Sequence, residues 1–286
     1  MRFSIIRSVS VVLIASILFS IPAHPEAATA GAQTVSGSDK PLVVAHRGAS
    51  LHAPENTMAA FHKAVEMGAH VIELDVRLTK DGIPVVIHDA KVNRTTSGKG
   101  KVAGLTFKQL RELDAGLYFH PSFAGERIPS LAEVLDTFSP VTRLLIELKD
   151  PKQYPGIEKA VAGMLKERSL DNSASSGIVV QSFDRSSLQK LKELLPQLSI
   201  GILVTGAGKL RTRELKKIAQ YADYINPSRK GLSTWTIRLI QANGMKVYVW
   251  DIRSERQAAA MIKAGADGIM TKNPEFLHSL KNRLAK

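Results

Sequence analysis

Three acidic side chains lie inside apolar runs of the sequence. Glu73 and Asp75 are two residues apart within residues 71–76, and Glu147 lies within residues 144–148. Residues two apart in a strand point to the same face, so Glu73 and Asp75 would share one. A carboxylate in an apolar interior is costly unless it is paired or binds a metal ion. Because these are hard oxygen donors and the chain has no cysteine, the set favours one divalent cation, Ca²⁺ or Mg²⁺, over Zn²⁺.

Basic residues near these acids allow a second interpretation. A structural ion-pair network with Arg47, Arg77 and Lys149 is the alternative to a metal site. A single buried acid would favour the ion-pair network, whereas three inward-facing acids favour a metal site. Arg47 and Lys149 could also bind an anionic substrate, because arginine offers a fork of donors to phosphate oxygens and lysine a point charge.

Two of the eight histidines directly follow predicted strands. His46 follows residues 42–45, and His88 follows residues 85–87. Imidazole titrates near neutral pH, so two imidazoles at one acidic cluster suggest a general base and a general acid. Together with an oxygen-bound cation and two fixed positive charges, they fit the cleavage of a phosphoester.

Short apolar, β-branched runs alternate with amphipathic stretches after the first forty residues. Such nearly continuous apolar runs are typical of strands buried on both faces. The predicted strands are residues 42–45, 71–76, 85–87, 144–148, 178–181, 200–204, 224–225, 247–250 and 268–270. The predicted helices are residues 54–67, 157–167, 185–195, 211–221, 234–243, 254–264 and 274–284.

The nine predicted strands are one more than a barrel of eight parallel strands contains. The link over residues 78–84 is too short for a parallel crossover and contains Asp81-Gly82, a strong hairpin signal. Residues 85–87 should therefore run antiparallel, outside the ring. The remaining eight strands predict an α/β fold, a (β/α)8 TIM barrel, with a small insertion after the second strand at about residues 89–129. A doubly wound open sheet is the alternative, but no Gly-x-Gly-x-x-Gly follows a strand.

The first thirty residues have the pattern of a secretory signal peptide. Arg2 and Arg7 precede an uncharged, mostly apolar run over residues 8–21, and residues 28–30 (Ala-Thr-Ala) could be a cleavage site. The run is short for a transmembrane helix, although an uncleaved anchor is the alternative. We expect residues 31–286 to form a single domain of a secreted protein, with no stable membrane insertion after processing.

The chain is basic, with 39 Lys+Arg against 26 Asp+Glu and a formal net charge of +13. Such a charge attracts phosphate-rich wall polymers or acidic lipid headgroups. Nucleic acid is not expected as a partner, because the cations are scattered and aromatic residues make up only 6% of the chain. The lack of cysteine excludes disulfides, cysteine-bound metal centres and cysteine nucleophiles.

Four segments together resemble the glycerophosphodiester phosphodiesterases. They are residues 46–57 (HRGASLHAPENT), 72–89 (IELDVRLTKDGIPVVIHD), 146–149 (IELK) and 181–183 (QSF). The resemblance implies a (β/α)8 barrel with an insertion after the second strand. It also implies hydrolysis of glycerophosphodiesters to sn-glycerol 3-phosphate and an alcohol, with a divalent cation that is usually Ca²⁺ or Mg²⁺.

The resemblance also assigns roles to individual residues. They are the acid/base pair His46 and His88, the metal ligands Glu73, Asp75 and Glu147, the phosphate-contacting Arg47 and Lys149, and the substrate-binding Gln181 and Trp250 on the glycerol side. Glu55 and Asn56 are expected to act first as loop and helix-cap residues.

Departures from the family pattern leave the alcohol half of the substrate open. Residues 250–253 (Trp-Asp-Ile-Arg) stand where many members read W/Y-T-V-N, and residues 271–274 (Thr-Lys-Asn-Pro) where many read T-D-x-P. Both a small glycerophosphodiester and a glycerol-phosphate wall polymer fit an enzyme that is extracellular or associated with the cell wall.

Two other functions are alternatives. One is a phospholipase D or C on the same barrel, which would need a membrane-docking surface of exposed aromatic residues, and none is evident in the sequence. The other is a non-catalytic binder of glycerol-phosphate wall polymer. The two histidines argue against a binder, because binding needs no proton donor.

Overall fold

The computed structural model describes residues 41–206 and 210–284, so the predicted signal peptide lies outside the described residues. The strands are β1 (Leu42–His46), β2 (Val71–Leu78), β3 (Pro84–Val86), β4 (Arg143–Leu148), β5 (Val179–Ser182), β6 (Ser199–Val204), β7 (Tyr224–Pro227), β8 (Lys246–Ile252) and β9 (Gly268–Thr271). The α-helices are α1 (Met58–Glu66), α2 (Phe107–Arg111), α3 (Leu131–Phe138), α4 (Ile157–Glu167), α5 (Ser173–Ser176), α6 (Arg185–Leu194), α7 (Thr212–Ile218), α8 (Thr234–Gln241), α9 (Glu255–Ala264) and α10 (Pro274–Leu284).

Eight of the strands close into a parallel ring. Their order is β1-β2-β4-β5-β6-β7-β8-β9, and β9 pairs with β1 to complete the circle. The predicted (β/α)8 TIM barrel is therefore confirmed, and the open-sheet alternative is wrong. In such a barrel the carboxyl ends of all ring strands meet at one rim, which we call the mouth.

The extra strand β3 forms the predicted hairpin with β2. It pairs antiparallel, with Val76 opposite Val86 and Leu78 opposite Pro84. The turn closes through a hydrogen bond from the Thr79 amide to the Ile83 carbonyl, at 3.0 Å. Gly82 within this turn has a φ of 78°, which glycine adopts without steric cost. This hairpin carries the chain from the ring to His88 at the mouth.

The barrel has a continuous apolar core between its strands and its outer helices. Residues such as Ile72, Leu74 and Ile146 are fully buried there against the helices. A second, smaller cluster fills the ring interior and includes Leu145 and Tyr248. Both layers remove apolar surface from water, which is the main driving force of folding. The acidic side chains Glu73, Asp75 and Glu147 lie above the inner cluster, toward the mouth.

The chain between β3 and α3 packs around a core of its own. Its buried apolar residues are Val85, Ile87, Val92, Val102, Leu110, Ala115 and Ile128. Helix α2 and three short 3₁₀ turns form this segment. Helix α3, which was not predicted, follows it. A capping box starts α3, since Ser130 and Glu133 bond each other's backbone amides.

None of the helices in the described ranges is both long and apolar enough to span a membrane.

Candidate active site

The three acidic side chains meet at the mouth end of the ring. Strand register places Asp75 opposite Glu147 and His46 opposite Glu73. Carboxylate oxygens of Glu73, Asp75 and Glu147 lie within 4.8 Å of one another, and all three residues are buried. The structure thus brings together the three acids that the sequence predicts to form one cluster.

The acidic cluster carries unfavourable charge repulsion. Burial, together with the neighbouring acids, raises the pKa of Glu73 well above its usual value. Burial and Asp75 likewise raise the pKa of Glu147 to about 7. Burial pushes the pKa of Asp75 up as well, but Arg47 and Lys149 outweigh it and lower that pKa to about 2. The cluster therefore disfavours the ionised forms of Glu73 and Glu147.

Two of these carboxylate oxygens are left without a hydrogen bond. Oε1 of Glu73 and Oδ1 of Asp75 are buried and accept no hydrogen bond from the described residues. Such unsatisfied acceptors are rare in protein interiors, because each costs desolvation energy. Three converging hard oxygen donors, two of them unsatisfied, fit a divalent cation such as Ca²⁺ or Mg²⁺.

Two cations border the acidic cluster. The Nε atom of Arg47 lies 3.3 Å from Oδ2 of Asp75. The ammonium group of Lys149 donates to Oε1 of Glu147 at 2.7 Å and lies 3.6 Å from Oδ1 of Asp75. Arg77 does not join them, because its guanidinium binds Asp150 and the His88 carbonyl. Of the three cations in the ion-pair alternative, Arg47 and Lys149 therefore contact the acidic cluster and Arg77 does not.

Asn56 fixes the orientation of Asp75. Its side-chain amide donates to Oδ2 of Asp75 at 2.8 Å, and its oxygen accepts from the Asp75 backbone amide at 3.2 Å. The expected helix-cap role of Asn56 is wrong, because Thr57 caps α1 by accepting from the Ala60 amide. Asn56 has a φ of 58°, a conformation that asparagine tolerates better than most residues. This backbone conformation points the Asn56 side chain toward the three acids. As a result, α1 begins only at Met58.

The two histidines predicted as an acid/base pair reach the same cleft. Nε2 of His46 lies 3.9 Å from Oε2 of Glu73. Burial and Arg47 lower the pKa of His46 to about 3. Nδ1 of His88 lies 2.7 Å from Oδ1 of Asp89. Burial is the largest effect on His88 as well, and it lowers that pKa. Both rings are therefore neutral near pH 7 and able to accept a proton.

The cleft above the cluster has a volume of about 200 Å³. Besides the residues already described, its walls include Phe183, Leu203, Asp251, Arg253, Met270 and Lys272.

Gln181 and Trp250 also line this cleft, on the side that the resemblance assigns to glycerol. Oε1 of Gln181 accepts from Asn226 at 2.8 Å, while its Nε2 is buried and has no partner among the described residues. Trp250 donates its ring N–H to the Asn226 carbonyl at 2.7 Å and stands edge-on to Phe183. Asn226 thus positions both side chains and leaves one donor of Gln181 for a ligand.

Arg94 is a site residue that the sequence analysis missed. Its guanidinium donates to Asp89, the partner of His88, at 2.7 and 3.1 Å. It also donates to Glu55, the partner of Arg47, at 2.7 and 3.0 Å. Arg94, which belongs to the insertion, therefore holds in place the carboxylates that contact His88 and Arg47. Nothing in the spacing of the sequence predicts this contact, because it depends on the path of the chain after His88.

Arg94→Ala should lower kcat roughly ten- to hundredfold, the range seen when a group that orients a functional ligand is removed. Without Arg94, Asp89 and Glu55 lose their bidentate donor, so His88 and Arg47 become less well ordered. Steady-state kinetics with a glycerophosphodiester would measure the change. Arg111→Ala is the matched control, because Arg111 lies in the same segment and binds Glu133 and the Ile128 carbonyl. Equal activity in the two variants would contradict the bracing role.

Comparison with known proteins identifies the family. Residues 46–276 match the Glycerophosphoryl diester phosphodiesterase family. A glycerophosphodiester phosphodiesterase of Caldanaerobacter subterraneus is 40% identical over 243 residues, which cover 84% of this chain and 98% of that protein. One from Bacillus subtilis is 34% identical over 255 residues, covering 85% and 87% of the two chains.

Solved structures agree with the sequence comparison. An Oleispira antarctica phosphodiesterase in complex with the product sn-glycerol-3-phosphate superposes with a TM-score of 0.77 at 29% identity, covering 85% of this chain and 97% of that one. A glycerophosphodiester phosphodiesterase from Agrobacterium tumefaciens gives 0.72 at 26% identity, covering 83% and 99%. The chain belongs to the glycerophosphoryl diester phosphodiesterase family, as its motifs indicated, and is a glycerophosphodiester phosphodiesterase.

Proposed function

We propose that the protein hydrolyses glycerophosphodiesters to sn-glycerol 3-phosphate and an alcohol, with one divalent cation and with His46 and His88 as the acid/base pair. The observation that carries this proposal is the meeting of two neutral imidazoles and three buried carboxylates at one cleft of a family-matched barrel. The related Oleispira enzyme, which binds sn-glycerol-3-phosphate as product, supports the glycerol phosphate half of the substrate.

Glu73, Asp75 and Glu147 would hold the cation, and their all-oxygen ligand set favours Ca²⁺ or Mg²⁺. When bound, such an ion stabilises negative charge on the phosphoryl oxygens. Arg47 and Lys149 border the same cluster and would bind the remaining phosphate oxygens. Asn56 would keep Asp75 in its ligating orientation.

The two imidazoles would move the protons. Asp89 is ionised, because its hydrogen bond with Arg94 holds the pKa of this carboxyl far below its usual value. It can therefore only accept, which places the His88 proton on Nδ1 and leaves Nε2 as a proton acceptor. One imidazole removes the proton of the attacking hydroxyl or water, and the other, after taking up a proton from solvent to become imidazolium, gives that proton to the leaving alkoxide. An alkoxide is a poor leaving group, so the proton donor is essential.

Gln181 and Trp250 would contact the glycerol half. The unpartnered Nε2 of Gln181 is a donor suited to a glycerol hydroxyl, and the Trp250 ring offers an apolar wall. Phe183, Arg253 and Lys272 line the same cleft and would face the alcohol half.

A substrate panel tests this proposal. Purified protein should release sn-glycerol 3-phosphate from glycerophosphocholine, glycerophosphoglycerol and glycerophosphoethanolamine when Ca²⁺ or Mg²⁺ is supplied separately. A glycerol-phosphate wall polymer belongs in the same panel. Cleavage of intact phospholipid bilayers without cleavage of these diesters would instead indicate a phospholipase. Binding of the polymer without release of any product would indicate a binder.

We also propose that the protein is exported and acts outside the cell, with residues 1–30 removed. The basic start, the apolar run over residues 8–21 and the small residues at 28–30 support this proposal. Mass spectrometry of protein recovered from the culture medium should give an amino terminus near Gly31. An intact amino terminus in the membrane fraction would show that the segment is an uncleaved anchor.

A further inference from the structure

Large apolar side chains remain exposed mainly at one end of the barrel. Among the described residues, eight such side chains are exposed: Val65 (37%), Val141 (49%), Leu51 (60%), Leu117 (54%), Tyr118 (40%), Phe119 (36%), Phe183 (48%) and Trp235 (67%). Leu51, Phe183 and Trp235 follow the carboxyl end of a ring strand and so belong to the mouth. Residues 117–119 follow the antiparallel strand β3, and the contact of the Tyr118 hydroxyl with the Glu55 backbone places them at the mouth as well. The uneven distribution needs an explanation, because scattered exposed apolar residues are common whereas concentrated ones usually mark a binding surface.

The topology explains why these residues share one end. Leu51 lies between β1 and α1, and Leu117 to Phe119 lie between β3 and α3. Trp235 is the second residue of α8, directly after the loop that leaves β7. Parallel ring strands all finish at the mouth, so loops and helix starts that follow them surround the cleft. Val65, in the last turn of α1, and Val141, just before β4, lie at the opposite end.

Several of these exposed groups are held in place by the site itself. The Tyr118 hydroxyl accepts a hydrogen bond from the Glu55 backbone amide at 3.1 Å, next to the Arg47–Glu55 pair. The Leu51 amide donates to the Lys272 carbonyl at 3.0 Å. The Phe119 ring packs edge-on against Phe123, at 5.6 Å between centroids. The apolar groups are thus presented around the cleft rather than folded into a core.

Unpaired cations accompany the exposed apolar residues. Arg229 and Lys230 are exposed in the loop that leads to Trp235, and Lys91 and Lys101 are exposed in the segment that carries Leu117. Lys272 lies beside the Leu51 loop. In the part of the chain that the structure describes, none of these five forms an ion pair with a carboxylate. The surface therefore combines apolar side chains with positive charge that its own acids do not neutralise.

We propose that this mouth surface, formed by Leu51, Leu117, Tyr118, Phe119 and Trp235 with their neighbouring cations, docks reversibly on a lipid surface that carries anionic headgroups. Apolar and aromatic side chains enter the headgroup region of a bilayer, while lysines and arginines bind its negative charge. The net charge of +13 adds long-range attraction to such a surface. The mouth would then face the membrane. Sequence analysis found no such surface, because its members come from three separate loops.

Sedimentation with lipid vesicles tests the docking. The full chain should bind vesicles of phosphatidylglycerol and phosphatidylcholine in equal parts, and bind pure phosphatidylcholine much more weakly. Trp235→Ser should weaken binding roughly tenfold, as expected for losing the partial burial of one large apolar side chain. Val141→Ser is the matched control at the opposite end of the barrel and should bind normally. Both variants should keep wild-type turnover of soluble glycerophosphocholine, so the docking is judged separately from the proposed reaction.

Tryptophan fluorescence separates docking by the mouth from binding by the apolar amino-terminal run. The chain has two tryptophans, Trp235 and Trp250. Brominated lipids should quench the emission of the full chain, and Trp235→Phe should remove most of that quenching. Sedimentation without quenching at Trp235 would overturn the proposal, because the amino-terminal run alone would then hold the vesicle. Equal binding of Trp235→Ser and Val141→Ser, or self-association of the chain without vesicle binding, would overturn it as well.

Discussion

Alanine at either His46 or His88 should lower kcat by roughly 10²–10⁴, the usual contribution of a general acid or base. Both rings lie at the cleft, and burial lowers the pKa of each, so both are neutral and ready to exchange protons. KM should change much less than kcat, because the phosphate would be bound by Arg47 and Lys149 instead. Steady-state kinetics with glycerophosphocholine measures both constants.

A histidine outside the cleft provides the control for this prediction. His120 is exposed in the insertion and bonds Ser122 locally, so His120→Ala should retain full activity. Thermal unfolding should show that the His46 and His88 variants keep the fold. The double variant should be hardly slower than either single one, since groups that act as a unit are not additive. Near-normal turnover in either single variant would rule out the two-histidine mechanism.

Removing divalent cations should abolish activity, and adding Ca²⁺ or Mg²⁺ should restore it. Burial, together with repulsion between the three carboxylates, raises the pKa of Glu73 and Glu147. A bound cation would relieve this repulsion and satisfy the free oxygens of Glu73 and Asp75. A cation present at a hundred times its Kd should therefore stabilise the fold by about 2.7 kcal/mol, seen as a rise in Tm.

The stability measurement distinguishes a metal site from an ion-pair network. Asp75→Asn should lose both activity and the cation-dependent rise in Tm. Asp136→Asn is the control, because Asp136 lies on the outer helix α3 and pairs with Arg168. Full activity in excess chelator, with no change in Tm on adding cation, would support the network of Arg47 and Lys149 with the acids.

The ring could be predicted from the sequence because its signals are local. Each buried strand is a short apolar run, and the Asp81-Gly82 turn identifies the one strand that runs antiparallel. Strand periodicity predicts that Glu73 and Asp75 share one face, and Glu147 stands out as an acid inside another apolar run. Helix α3 is the exception, since its signal was present: the Ser130 and Glu133 capping box is a sequence pattern that indicates a helix start, but no helix was predicted there.

The contacts that brace the site could not be predicted in this way. Asn56 reaches Asp75 only because its backbone is left-handed, and that conformation delays α1. Arg94 reaches Asp89 and Glu55 only because the insertion folds back over the mouth. Neither contact has a fixed sequence spacing, since each depends on how a loop packs against the finished ring.

The separate apolar core of the insertion has an evolutionary consequence. Val92, Val102 and Leu110 pack mainly with one another and with β3 rather than with the helices around the ring. Mutations and length changes in this module should thus be tolerated by the barrel, provided that Arg94 keeps its two carboxylate contacts. Descendants of one ancestral enzyme could therefore vary this module in length and sequence, while the residues at the ends of the ring strands are inherited unchanged.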